Sequence, residues 1–106
     1  MAMEHLKGAE LAEMIESATV DAYGQDQQLT GLFDRLEECL PAEFETTVLG
    51  VQVTVKSITY MNGVISADCV RGEYRQAISL LDLPLPDPPP EGWEWIAAYR
   101  YWISRH

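Results

Sequence analysis

The side chains able to do chemistry in this chain are mostly carboxylates: 17 Asp and Glu face 7 Lys and Arg, with two cysteines and two histidines. They could act together along Val20-Asp21-Ala22-Tyr23-Gly24-Gln25-Asp26-Gln27-Gln28-Leu29-Thr30-Gly31, a polar, glycine-punctuated joint between two helical patterns. Gly24 suits a backbone leaving a helix through a left-handed conformation. Asp26 stands where a carboxylate accepts the orphan N–H groups of the next helix. An ordinary helix junction carries the same features, so the joint has a plain structural explanation beside any functional one.

The charge is unevenly placed. Residues 1–45 hold eleven acids against Lys7 and Arg35, a balance of −9, whereas the remainder sets six acids against five bases, a balance of −1. Such a surface suits a cation, a basic partner or simple solubility. It does not suit nucleic acid, whose phosphates are drawn to clustered Lys and Arg.

Other chemistries lack their signatures. There is no phosphate-binding glycine loop, no dinucleotide fingerprint, no nucleophile elbow and no HExxH. Cys39 and Cys69 are too far apart for a CxxC site, and His5 and His106 lie at the ends, badly placed to serve as an internal base. Cys69 alternates with Ile65 and Ala67 on what reads as the inner face of a strand, which favours a buried, reduced thiol. Nothing in the spacing separates a catalytic carboxylate from a solvated one, so the expectation is a protein without enzymatic activity.

The elements that must position the joint follow from periodicity. Leu11, Met14, Ile15 and Ala18 fall at i, i+3, i+4 and i+7, an amphipathic helix; Leu29, Leu32, Phe33, Leu36 and Leu40 give a second, closed by Pro41. At about Glu43 the period becomes two. Phe44–Leu49, Val51 onward, Val64–Val70 and Tyr74–Leu83 read as successive strands, linked at Gly50, at Asn62-Gly63 and at Arg71-Gly72-Glu73. The stretch Leu83-Pro84-Leu85-Pro86-Asp87-Pro88-Pro89-Pro90 lacks too many N–H donors for a central strand or helix and reads as a polyproline-II strap. In the last segment Trp95, Tyr99, Trp102 and Ile103 share one helical face, best explained as rings anchored in the core.

The expected fold is therefore α+β: two N-terminal helices packed on a small four- to five-stranded antiparallel sheet, SH3-like and partly barrelled, with a C-terminal aromatic helix. It forms a single domain over 1–106, with 1–8 frayed, 9–40 a helical pair, 43–83 a β-meander, 84–92 the strap and 93–104 the last helix. No run approaches the ~20 apolar residues of a membrane span, and the expected location is cytoplasmic.

Across Ala18 to Gly31, then Arg35-Leu36-Glu37-Glu38-Cys39-Leu40 and the Glu43-Phe44 strand entry, the sequence resembles the small acidic calcium-binding proteins first described from cyanobacteria. That family looks like two amino-terminal helices, a small β-structure and a closing aromatic segment, matched here by Trp95 to Trp102. The resemblance implies Ca²⁺ binding without an EF-hand, by carboxylates near the helix junction, carried over to Asp21, Asp26, Glu37 and Glu38. An EF-hand is excluded, because the third and fifth positions counted from Asp21 are Tyr23 and Gln25. Where relatives carry a denser acidic run, this chain places Gln25, Gln27 and Gln28 around Asp26, which supplies oxygens without charge and lowers the expected affinity.

The expected function is a reversible calcium buffer or sensor, with Ca²⁺ as the ligand and neither nucleic acid nor membrane as a partner. The alternative is a non-enzymatic protein-interaction module of the same fold without a specific ion site. A third reading is an acidic mimic of nucleic acid.

Overall fold

The computed structural model describes residues 8–41 and 43–105. In chain order the elements are α1 (Gly8–Ala18), α2 (Gln25–Cys39), β1 (Phe44–Val48), β2 (Val51–Met61), β3 (Val64–Arg71), β4 (Tyr74–Ser79) and α3 (Trp93–Arg105). They divide into two compact units, one made of the three helices and the other of residues 40–91. Of the segment expected to fray, 1–7 lies outside the described residues and Gly8 opens α1. Among the described residues, no helix is long and apolar enough to cross a membrane.

In the helical unit the core is built from leucines and rings. Leu11 of α1, then Leu29, Leu32 and Leu36 of α2 at i, i+3 and i+7, and Ile96, Ala98, Tyr99 and Trp102 of α3 are buried. The C-terminal stripe is turned from the one expected: Ile96 and Ala98 are enclosed, while Trp95 and Ile103 are half-buried. Two polar contacts hold Trp102 and Trp95 of this helix. The Trp102 indole N–H donates to Gln28 Oε1 at 2.8 Å, satisfying a group that burial would otherwise orphan. The Arg35 guanidinium lies 5.7 Å from the Trp95 ring centroid, so that ring serves as a cation–π platform at the margin of the core.

Two glycines set how closely the helical unit packs. A Cβ on Gly31 would run into the carbonyl of Ala18, so only glycine lets α2 approach the end of α1 there. Gly92 has φ +86°, and a Cβ on it would collide with the carbonyl of Cys39. Its own carbonyl accepts the Trp95 N–H at 2.9 Å as α3 begins.

The strand unit is a four-stranded antiparallel meander in the order β1-β2-β3-β4. It is an open sheet with β1 and β4 as its edges, so the expected closure toward an SH3-like barrel is not what the strands form. Both β1–β2 and β2–β3 join through two-residue turns with positive φ at each position, Leu49 (51°) and Gly50 (80°), then Asn62 (55°) and Gly63 (78°), the geometry that matches strand twist. A bulge at Lys56, where the register with β3 shifts between Val55 and Ser57, sets Ile58 opposite Ala67 and Tyr60 opposite Ile65. It thereby keeps the half-buried Ile58 and Tyr60 on the face that buries Val55, Ile65, Ala67 and Cys69.

The fourth strand stops at Ser79 and does not run to Leu83 as its alternation suggests. The Ser79 carbonyl accepts the N–H groups of Asp82 (2.9 Å) and Leu83 (3.1 Å), and its Oγ accepts that of Leu81 (3.2 Å), curling the chain into a turn. Leu80 and Leu83 are buried, and the buried Thr46 hydroxyl donates to the Pro84 carbonyl at 2.6 Å, tying the start of the proline segment to β1.

Candidate functional site

The joint is built from two helix ends. α1 closes on Thr19, whose N–H is shared between the carbonyls of Ile15 (3.0 Å) and Glu16 (3.3 Å) and whose Oγ1 donates to Ile15 O at 2.7 Å. The Ala22 N–H then donates to the Thr19 carbonyl, and the chain turns. Gly24 serves the start of α2, not the end of α1. Its carbonyl accepts the Gln28 N–H at 2.9 Å, the first bond of the new helix, and it is not among the glycines with positive φ. The side chain that reaches back across this N-terminus is Gln27, not Asp26: Gln27 Oε1 accepts the Tyr23 N–H at 2.8 Å. Asp26, in the first turn, favours the helix through the macrodipole.

The close approach at Gly31 leaves an open concavity of about 420 Å³ between the end of α1 and one side of α2. Asp21, Gln27, Thr30, Asp34 and Arg35 line it, together with Ser17, Ala18 and Val20 at the end of α1. Gln27, Thr30, Gly31 and Asp34 fall at i, i+3, i+4 and i+7, a polar stripe on α2. It faces the negative end of the α1 dipole, and the last turn of α1 carries no basic residue to neutralise that end. Thr30 Oγ1 donates to Asp26 O at 3.0 Å, which leaves its lone pairs available. The ligands it offers a cation are oxygens, those of Asp21, Asp34, Thr30 and Gln27, the kind a hard cation such as Ca²⁺ prefers, although the Arg35 guanidinium lines the same concavity and opposes a cation there.

The four carboxylates carried over as calcium ligands are not gathered in this concavity. Asp21 lines it, whereas Asp26, Glu37 and Glu38 do not, and all four are exposed. Asp26 stands in the first turn of α2 and Glu37 and Glu38 in its last. At ~1.5 Å rise per residue their backbones lie about 16–18 Å apart along the axis. Calcium holds its oxygens at ~2.3–2.6 Å, so ligands of one ion lie within about 5 Å of each other. Asp26 and the Glu37-Glu38 pair therefore cannot serve the same ion. Among the described residues no three Asp, Glu, His or Cys side chains are grouped so as to hold a metal. Asp34, unassigned by the motif, is the carboxylate that joins Asp21, and its signal was helical spacing from Gly31.

The cysteines are both free. Cys69 is buried in the strand unit, and burial first, then the neighbouring Asp68 charge, push its thiol above the ordinary value. That is the inert thiol its alternation suggested. His5 and His106 lie outside the described residues.

No family model matches the chain, and no curated protein matches its sequence. Among solved structures, the crystal structure of Anabaena CcbP matches with a TM-score of 0.70 at 17% sequence identity, covering 93% of each chain. The likeness is one of fold and spans both units.

Proposed function

We propose that this chain is a non-catalytic protein that takes up Ca²⁺ reversibly and weakly at the α1–α2 junction, as a buffer or sensor. The observation that carries the reading is the concavity at the negative end of α1, where Asp21 and Asp34 meet the oxygens of Thr30 and Gln27, with the Arg35 guanidinium in the same lining holding the affinity down. Support comes from the fold shared with Anabaena CcbP along nearly the whole chain, and from the resemblance of the joint to the small acidic calcium-binding family.

In this reading Asp21 and Asp34 are ligands. Asp26, Glu37 and Glu38 act at longer range, raising the local cation concentration through a field that salt screens over ~8–10 Å. Two carboxylates supplemented by neutral oxygens place the affinity at the weak end of protein calcium sites, on the order of 10⁻⁴–10⁻³ M.

The test is a calcium titration of metal-stripped protein followed by amide NMR, with Mg²⁺ as competitor. Saturable shifts centred on residues 17–34 are expected. Asp21→Asn with Asp34→Asn should weaken binding by at least about tenfold, and Glu37→Gln with Glu38→Gln by less than about twofold. Shifts that never saturate and spread over every acidic residue would mean ordinary counterion screening and would remove the proposal.

A further inference from the structure

The face of the sheet that buries Val55, Ile65, Ala67 and Cys69 continues past Val53 to an uncovered end. There the β1–β2 turn and β4 enclose an apolar hollow of about 270 Å³, walled by Leu49, Val51, Val53, Tyr74 and Ile78. Leu49 is 98% exposed and Tyr74 80%. Exposure at the Leu49 turn is matched by an odd choice of residue. Leu49 and Asn62 occupy the same left-handed position of the same kind of turn, where asparagine is favoured and a branched apolar side chain is not. A large apolar group held in an unfavourable conformation, in water, at the mouth of an apolar hollow marks a contact surface.

The hollow's charge selects the occupant. Although the chain is −10 overall, no carboxylate lines the hollow, while Arg71 and Arg75 do. Arg75 is paired with Asp68 at 2.8 Å, but Arg71 is exposed and has no ion-pair partner among the described residues. Small-molecule sites run from ~300 to 1,000 Å³, so a hollow of about 270 Å³ suits one or two side chains better than a whole cofactor. It also opens beside β4, whose residues Tyr74 to Ala77 are exposed and which forms the edge of the sheet. We propose that this end of the sheet docks an extended acidic segment of a partner protein. Its backbone adds to β4, a bulky apolar side chain enters between Leu49 and Tyr74, and a neighbouring carboxylate reaches Arg71.

The inference is independent of calcium and is tested in chelator. The ¹⁵N-labelled full chain is titrated with the capped peptide Glu-Asp-Leu-Phe-Asp-Glu and, as control, with the same peptide carrying lysine at its four acidic positions. The acidic peptide should give saturable shifts over residues 48–53 and 69–78, with Kd below about 1 mM, and the lysine peptide none. Leu49→Asn, which copies the Asn62 turn and so keeps the fold, should weaken binding at least about tenfold, and so should Arg71→Glu. The proposal is overturned if neither peptide saturates, if both bind alike, or if both variants bind as the parent does. It is equally overturned if the same resonances shift with protein concentration alone, since a second copy of this chain would then be the occupant.

Discussion

The helical unit encloses the leucines and rings between its helices and, among the described residues, leaves large side chains in water only at the joint, at Val20 and Tyr23, whereas the strand unit pairs Glu43 and Asp68 with bases and leaves large side chains uncovered at one end of its sheet. In the first, Leu32, Leu36, Ile96 and Tyr99 are all but inaccessible, yet Asp21, Asp26, Asp34, Glu37 and Glu38 have no basic partner among the described residues. In the second, Lys56 meets Glu43 at 3.0 Å and Arg75 meets Asp68 at 2.8 Å, yet Leu49 and Tyr74 stand in solvent. Surface ion pairs contribute little to stability, and single exposed apolar groups cost little. What differs is the kind of ligand proposed for each unit: a cation at one, an apolar and acidic segment at the other.

The sharpest way to break that comparison is to truncate an enclosed leucine of the helical unit. Leu32→Ala should lose about 3–4 kcal/mol in urea unfolding, since it removes a fully enclosed side chain and leaves a cavity. A loss under about 1 kcal/mol would show that the three helices do not share a tight core. Next in size is Gly92→Ala. The residue has φ +86° and faces the Cys39 carbonyl, so about 2–3 kcal/mol should be lost. Gly24→Ala is its control: nothing lies within 4 Å of an added Cβ there, and the change should stay within about 0.5 kcal/mol.

Periodicity made the element types and most of the core legible, because burial on one face of a helix or strand leaves a period that survives in the residue order. Leu29, Leu32 and Leu36 were readable in this way. The strand end at Ser79 was not, because a serine that gathers three following N–H groups looks in sequence like one more polar step of an alternation. Closure of the sheet was equally hidden, since strand count and turn chemistry set pairing order but not curvature. At the junction, Asp21 and Gly31 stood out, while Asp34 emerged only once Gly31 was seen to bring α2 against the end of α1. Helical rise alone separates Asp26 from Glu37 and Glu38 by about three turns, a distance legible in the sequence, whereas the docking of α1 that decides which carboxylate meets Asp21 was not.

Inside the strand unit, Cys69 supplies a smaller probe. Burial raises its thiol above the ordinary 9.0, so the folded state holds its proton where the unfolded chain has begun to lose it. Stability contributed by the neutral thiol is therefore intact below about pH 9 and declines as pH rises through the folded value, with a slope of at most ~1.4 kcal/mol per pH unit. Urea midpoints between pH 8 and 10.5 should fall faster for the parent than for Cys69→Ala, whose lower stability at pH 7 sets the baseline.

The smallest expected effect bears most directly on what the uncovered end of the sheet is for. Replacing Leu49 by asparagine removes a side chain that is 98% exposed and relaxes a left-handed position, so Leu49→Asn should raise stability by about 0.5–1 kcal/mol. Asn62→Leu, the mirror change at the β2–β3 turn, should lower it by a similar amount. If thermal unfolding shows the two changes moving stability in opposite directions, the leucine at the first turn costs stability in the isolated protein, which supports the proposed contact outside the chain. If Leu49→Asn instead destabilises, Leu49 packs within the strand unit in solution, and the hollow it borders is part of the fold.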